Sequence, residues 1–377
     1  MRSPSTGVDA ALFSVERLGT VMQPSNDPRE IEGVLNPAAA RAKNDSLYLF
    51  PRLVGKGNYS RIGIAQVRYA GFNPVGVKRD GVVLEPTEPY ELHSGGGGCE
   101  DPRISFVTPL GCYVMTYTAY SAAGPRIAIA ASDDLHVWRK LGLAFFDRQA
   151  EPDFNTAINK DAVIFPEAVK DVDGNPCVAM LHRPLFPGTT PEALSRQNSE
   201  RPIDLLRESI WISYVPLEAI GRDEHLICHF TSHRRLLSPV GSWERLKVGS
   251  GTPPVLTRHG WLLVYHGVSA NSVDLSTGFT YSAGVVILDR HDITAVRYRS
   301  AQPILIPERS EELSGNVARV VFPTGIDRRD DIGQDVFDIY YGMADSRIGA
   351  ARLRVPSVLP QSEVGCDVSP TTGTPTL

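Results

Sequence analysis

The sequence predicts an all-β fold, and specifically a five-bladed β-propeller with a central active-site channel. Three observations lead there. One short paragraph of sequence returns five times, the strand-forming runs within it are short and punctuated by turn residues, and the chain carries 33 Gly and 29 Pro in 377 residues. A lone four-stranded sheet cannot bury both its faces, whereas a ring of such sheets can, so a repeat built of several short strands reads as blades. Five copies then mean five blades.

Each copy opens on a proline-bearing apolar segment: VLNPAAA at 34–40, EDPRISFV at 100–107, VIFPEAV at 163–169, GTPPVL at 251–256 and VVFPTGI at 320–326. Their prolines, at 37, 102, 166, 253 and 323, are separated by 65, 64, 87 and 70 residues. A strand ending in a polar group follows: SLYLFPRLV, CYVMTYTAY, CVAMLHRPL, WLLVYHGVS and DIYYGMADS. A third strand closes the copy: RIGIAQV, RIAIAAS, SIWISYV, SAGVVIL and RIGAARL. Period-two alternation supports these strands, with Ile127 and Ile129 on one face and Ile210 and Ile212 likewise. Turn chemistry separates them at Asp133-Asp134, Asp173-Gly174-Asn175 and His259-Gly260. Helical periodicity is confined to PEALSRQ near 191 and PLEAIGR near 216. The segment 186–208 lengthens the third copy and reads as a surface insertion, either an ordinary loop or a lid or oligomer contact. The expected layout is an N-terminal extension (1–30) packing on a propeller domain (31–354), with a Pro-, Ser- and Thr-rich tail (355–377) draped on the surface.

A charge of −5, from 38 Lys and Arg against 43 Asp and Glu, gives no basic surface for nucleic acid or membrane. No run approaches the roughly 18 uninterrupted apolar residues that a spanning helix needs. The start of the chain lacks the basic, apolar and cleavage regions of a signal peptide, so a cytoplasmic protein is expected. Cys99, Cys112, Cys177, Cys228 and Cys366 are odd in number and irregularly spaced, which indicates neither a disulfide framework nor a zinc site. Reduced, buried thiols are expected, with no metal and no organic cofactor.

In a propeller the first strand of every blade lines the channel, so polar residues at matched points of the repeat converge on one axis. Beside the prolines stand Asn36, Asp101, Glu167, Thr252 and Phe322, while the second strands end in Arg52, Thr118, His182 with Arg183, His266 and Asp345. Strand alternation places Asp101 and Arg103 on one face and Glu100 on the other. The Asp101 carboxyl is a candidate acid whose pKa is set by burial against a neighbouring arginine, and the competing reading is an Asp that caps a turn. Lys160, His182 and Arg183 come from one unit and together suit an anion clamp, against the alternative of a solvated Lys and a core His. The run His93-Ser94 with Gly95 to Gly98 imitates a phosphate-cradling loop, but no Lys-Ser/Thr follows, and it reads as a flexible linker. Tyr48, Tyr117, Tyr265 and Tyr340 are candidates for stacking on a sugar or for the core.

Taken in order, VLNPA, SRIGIA, CEDPRI, SDDLHVW, NKDAVIFPE, MLHRP, GSGTPPVLT, GWLLVYHGV and YYGMADSRIGAA resemble glycoside hydrolase family 130, the β-mannoside phosphorylases and related mannosidases on a five-bladed propeller. The resemblance runs from about residue 30 to 353. It implies that Asp101 is the general acid, protonating the leaving oxygen through a hydroxyl of the bound mannosyl ring. It also implies that Asn36, Arg52 and Asp345 hold the mannosyl unit, with Arg61 and Arg103 as further substrate-binding candidates. Lys160, His182 and Arg183 match its phosphate-binding motif, with Tyr265 and His266 beside them. The implied partners are a small carbohydrate and inorganic phosphate as co-substrate, and the implied chains associate, with the terminal segments as candidate contacts.

An inverting hydrolase needs a second carboxylate to activate water on the far face of the sugar. Phosphate arrives anionic and needs cations there instead. The basic group therefore argues for inverting phosphorolysis of a β-mannoside to α-mannose 1-phosphate. Two rivals are an inverting β-mannosidase using Glu167 or another carboxylate, and a non-catalytic sugar-binding propeller. The acceptor sugar and a β-1,2 or β-1,4 linkage are left open.

Overall fold

The computed structural model describes residues 12–148, 153–185, 207–270 and 278–361. The expected insertion therefore lies largely outside the described residues, as does most of the C-terminal tail. What is described is all-β, with helices limited to single turns such as Leu217–Arg222 and Ser310–Leu313.

The chain enters with β1 (Ser14–Met22) and then builds five groups of mainly antiparallel strands, the first two joined by a parallel bridge into one eight-stranded sheet. The first is β2 (Gly33–Arg41), β3 (Leu47–Gly55), β4 (Tyr59–Ala70) and β5 (Asn73–Leu84). The second is β6 (Gly97–Val107), β7 (Cys112–Ser121), β8 (Gly124–Ser132) and β9 (Arg139–Leu143), after which comes the short β10 (Phe145–Phe146). The third is β11 (Ile158–Ile164), β12 (Val169–Lys170), β13 (Pro176–Leu185), β14 (Ile210–Pro216) and β15 (His229–Leu237); β11 and β12 both pair with β13, and β10 joins β15 in parallel. In the fourth, β16 (Lys247–Ser250) and β17 (Val255–Thr257) both pair with β18 (Gly260–Ala270), followed by β19 (Phe279–Leu288) and β20 (Val296–Arg299). The fifth is β21 (Val321–Arg328), β22 (Val336–Met343) and β23 (Arg347–Arg354), completed by β1 on the far side of β23. The N-terminal segment thus supplies a strand of the last group instead of only packing on it.

Contacts between the groups pass from β2 to β6, from β6 to β11, from β11 to β16, from β18 and β19 to β21, and from β21 back to β2. The apolar core is divided in the same way. One buried cluster lies between each successive pair of groups, including the pair formed by the fifth and the first. This explains why the second strands read as unbroken apolar runs. In β13, Cys177, Ala179 and Leu181 face the fourth group while Val178 and Met180 face the second. In β18, Trp261 and Leu263 face the third group while Leu262 and Val264 face the fifth. A sheet covered on both sides needs apolar residues at every position, and period two sorts them.

In four of the five groups the first strand has the same kind of irregularity. The pairing register slips between Leu35 and Ala38 in β2, between Glu100 and Arg103 in β6, between Lys160 and Val163 in β11, and between Pro323 and Gly325 in β21. Asn36, Asp101 and Asp161 sit in these bulges with φ of 44°, 46° and 56°. Asn and Asp are the non-glycine residues that tolerate this left-handed region best. A bulge twists the strand and re-aims its side chains. It corrects two expectations. The structural counterpart of Pro37 and Pro102 in the third group is Ala162, with Asp161 at the bulge; Pro166 lies beyond β11, and Glu167 beside it is exposed. Simple alternation also fails in β6, because the bulge turns Glu100 and Asp101 toward the same arginine.

The glycine run is part of the sheet and not a linker. Gly97 and Gly98 open β6 with φ of 97° and 116°, bridging in parallel to Tyr59 and Ser60, and a Cβ at Gly97 would lie 2.6 Å from the Tyr120 carbonyl oxygen. Cys99, Cys112, Cys177 and Cys228 are free, and burial pushes the Cys177 and Cys228 thiols up to about 12. Among the described residues no helix is long and apolar enough to cross a membrane, and no cluster of His, Cys, Asp and Glu is arranged to hold a metal ion.

Candidate active site

The bulges of β2 and β6 bring together the acidic half of the site. Asn36 donates through Nδ2 to Asp101 Oδ1 at 2.9 Å, and Arg52 Nη1 reaches the same oxygen at 3.3 Å. The other Arg52 nitrogens hold Glu100 Oε1 at 2.7 Å and Ser60 Oγ at 2.9 Å. Burial raises the pKa of Glu100, opposed by the Arg52 charge. Asp345, at φ 48° between β22 and β23, joins this group electrostatically. Burial and then the neighbouring Asp101 push its carboxyl up to about 6, against the pull of Arg52 and Lys160. Gly342 stands opposite Asn36, and a Cβ there would collide with Asn36 Oδ1. The Asp101 side chain keeps 13% of its surface open, so the carboxyl is reachable.

The cationic half is built on the bulge of β11. Asp161 receives Arg183 Nε at 2.6 Å, faces His266 Nε2 at 3.5 Å and has Arg103 Nη2 at 3.6 Å. Although burial opposes it, the charges of Arg183, Arg103 and Lys160 hold the Asp161 carboxyl far below the usual carboxylate range. Around this aspartate stand Lys160, Arg183 and Lys247, with Glu208 ion-paired to Arg183 and 4.0 Å from the Lys247 ammonium. Burial, with Arg183 adding repulsion, lowers Lys160; the same two causes bring Lys247 down to about 8. Lys160 has no ion-pair partner within 4 Å among the described residues, yet Asp101, Glu100 and Asp345 all feel its charge. It links the two halves. Lys247 lies over the Tyr281 ring at 5.6 Å. The His266 ring packs on Phe322, and burial lowers its pKa well below the ordinary value, so the ring is neutral.

Several buried polar atoms around this centre have no partner among the described residues: Asn36 Oδ1, Ser250 Oγ, Thr252 Oγ1 and both His266 ring nitrogens. Buried polar groups are normally satisfied, so a concentration of open ones beside an acid and a set of cations marks a place for a polar ligand. A cleft of about 660 Å³ lined by Arg41, Gln66, Tyr69 and Arg328 to Asp331 lies away from this centre.

Of the residues expected from the sequence, Asn36, Arg52, Asp101, Asp345, Lys160, Arg183 and His266 are brought together. Four are not. Arg103 is only 2% exposed and stands behind the site, donating to the carbonyls of Asp101 (2.8 Å), Gly251 (3.2 Å) and Ser250 (3.3 Å). The Arg61 guanidinium is engaged by Glu85 at 2.9 Å and by the Arg29 carbonyl. His182 and Tyr265 are each adjacent in sequence to a site residue and, by strand alternation, take the opposite face. His182 hydrogen-bonds to Asn159 at 3.1 Å and Ser213 at 2.8 Å and packs on Phe146 and Phe154 in the core toward the second group. Tyr265 donates to Glu244 at 2.8 Å and accepts from Arg299 at 3.1 Å, fully buried.

Asp161, Lys247, Tyr281 and Glu208 are the residues that the sequence reading missed. Asp161 could have been found by matching Lys-Asp-Ala to Leu-Asn-Pro and Glu-Asp-Pro. The other three carry no local signal, because they reach the pocket from segments far apart along the chain.

Comparison with known proteins gives the family. A family profile described as β-1,4-mannooligosaccharide phosphorylase, that of glycoside hydrolase family 130, matches residues 12–361. The chain is 30% identical over 348 residues to the 1,2-β-oligomannan phosphorylase of Thermoanaerobacter sp. (strain X514), covering 90% of this chain and 95% of that protein. It is 28% identical over 297 residues to the β-1,4-mannooligosaccharide phosphorylase of Ruminococcus albus, covering 77% and 74%. Among solved structures, a glycosyl hydrolase from Bacteroides ovatus superposes with a TM-score of 0.68 at 25% identity over 92% of this chain and 95% of that one. With nearly the whole described chain matched, the protein belongs to glycoside hydrolase family 130.

Proposed function

We propose that the chain cleaves β-mannosides by inverting phosphorolysis, giving α-mannose 1-phosphate and the shortened acceptor. The observation that carries this reading is the pocket of Lys160, Arg183 and Lys247 around Asp161, of which Lys160 lies within electrostatic reach of Asp101. A phosphate oxygen attacks C1 from that pocket, the glycosidic C–O bond breaks, and Asp101 supplies the proton to the leaving oxygen. Asn36, Arg52 and Asp345 hold the mannosyl ring between them. A hydrolase would need a carboxylate free to accept a proton from water on the cationic side. Asp161 is held ionised far below the usual range and is a poor base, and Glu208 is tied to Arg183. The Glu167 assigned to that role in the hydrolytic alternative is exposed and outside the site.

The five antiparallel groups, the contacts that return from the fifth to the first, and a core cluster at each junction support a five-bladed propeller with the site on its central channel. The closing of the last group by β1 extends the proposed domain to about residues 12–361.

The test is to incubate the protein with β-1,2- and β-1,4-linked mannobiose with and without phosphate. α-Mannose 1-phosphate should form only with phosphate; free mannose released at equal rate in both would overturn phosphorolysis. Asp101→Asn should lower kcat by about 10²–10⁴-fold, the range for loss of a general acid.

A further inference from the structure

Glu208 has no part in the proposed proton transfer, yet it is one of the most tightly placed residues of the anion pocket. It lies just before β14 and is only 3% exposed. Its backbone carbonyl accepts from Val248 N at 3.1 Å, which ties it to β16. Its carboxylate pairs with Arg183 Nη1 and stands 4.0 Å from Lys247 Nζ, which ties it to β13 and β16 together. The pocket therefore contains its own anion. Arg183 has Nε engaged by Asp161 and Nη1 engaged by Glu208, so an incoming anion competes for a guanidinium that already has two carboxylate partners. Of the charges immediately around the pocket, Lys160, Arg183 and Lys247 are opposed by Asp161 and Glu208, and His266 is neutral.

We propose that Glu208 is an internal counter-anion that sets the affinity of this pocket for phosphate. The proposal rests on the phosphorolytic reading for its biological meaning, but not for its physics. Two acidic groups do different work here. Asp161 orients Arg183 from behind, also touching His266 and Arg103, whereas Glu208 offsets charge at the Arg183 edge shared with Lys247. Without Glu208 the pocket would be more positive by one unit of charge, in a region where burial weakens screening. Inorganic phosphate would bind more tightly, and so would a sugar 1-phosphate, whose ester group occupies the same place. Glu208 thereby lets the phosphorylated product leave.

The experiment compares the intact protein with Glu208→Gln, which keeps the side-chain shape, and Glu208→Asp, which keeps the charge but draws it back from Arg183. Calorimetric titration with inorganic phosphate alone reads the pocket without turnover. The expected result is a phosphate Kd lowered about tenfold in Glu208→Gln and about two- to threefold in Glu208→Asp, on the scale of one nearby charge. In turnover, the phosphate KM and the inhibition constant of α-mannose 1-phosphate should fall together while the mannoside KM holds. A merely structural role would not tighten binding. If Glu208→Gln does not fold, as read by thermal unfolding, Glu208→Asp carries the test. An unchanged or raised phosphate Kd in the folded variants overturns the proposal. If the variants bind phosphate more tightly but wild-type cleavage proves independent of phosphate, the counter-anion role stands and phosphorolysis falls; the opposite pattern separates the two the other way.

Discussion

Gly249→Ala perturbs the anion pocket without removing a charged group. Gly249 lies in β16, opposite His266 in the pairing register. A Cβ at this position would sit 2.6 Å from His266 Nε2 and nearer still to Asp161 Oδ2. Ordinary contact begins near 3.4 Å, so the aspartate and the imidazole must each retreat by about 1 Å. Neither can do so freely, because both are buried, and Asp161 is held by Arg183 at 2.6 Å. Overpacking of this kind costs about 1–3 kcal/mol. For a chain of this size that corresponds to a fall in Tm of about 1–4 °C. Displacing Asp161 from Arg183 by a similar distance should also disturb the guanidinium, and a loss of about 1.4 kcal/mol in anion binding would raise the phosphate KM about tenfold. The assay is thermal unfolding together with phosphate and mannoside saturation curves. Gly221→Ala, at a helical glycine with nothing within 4 Å, is the control and should leave both readings unchanged or slightly raise Tm. A Gly249→Ala protein with wild-type Tm would refute the close approach. A lowered Tm with wild-type phosphate KM would show that the Asp161 and His266 contact does not support the anion pocket.

The remaining predictions concern titration and the residue set apart from the pocket. Lys247 is lowered to about 8, so it is charged below that pH and loses its proton above it; the phosphate KM should rise about tenfold between pH 8 and 9.5, and Lys247→Arg, which stays charged, should flatten the profile. His182→Ala should destabilise the protein by about 2–4 kcal/mol, since it leaves a cavity and strands Asn159 Oδ1 without its partner. The same variant should leave phosphate KM within about twofold of wild type, because His182 faces the core; a tenfold rise measured in saturation kinetics would return it to the anion site.

Much of this protein is legible in its sequence because its order is local and repeated. Strands, turns and the fivefold recurrence follow from period-two patterning, and Asn36, Asp101 and Asp345 announce themselves as polar residues at matched points of an apolar repeat. Less local features escaped. Proline is the conspicuous landmark of the third repeat, whereas the property its first strand shares with those of the first and second groups is a bulge at a residue tolerant of positive φ. His182 and Arg183, like Tyr265 and His266, are neighbours in sequence that were assigned one role, and their strands send them to opposite sides of a sheet.

The amino-acid order on its own determined the sheet content and marked Asn36, Asp101, Lys160 and Arg183 as candidates, because strand patterning and polar residues within apolar runs are read over a few residues. Only the tertiary structure decided which of two adjacent side chains enters the site, that Arg103 stands behind it, and that Lys247 and Glu208 meet Arg183 from separate strands. The physical reason is that alternation sets the period of a strand but not its phase. Phase is chosen by what the neighbouring sheets bury and by where a bulge slips the register, and both are contacts between residues far apart along the chain.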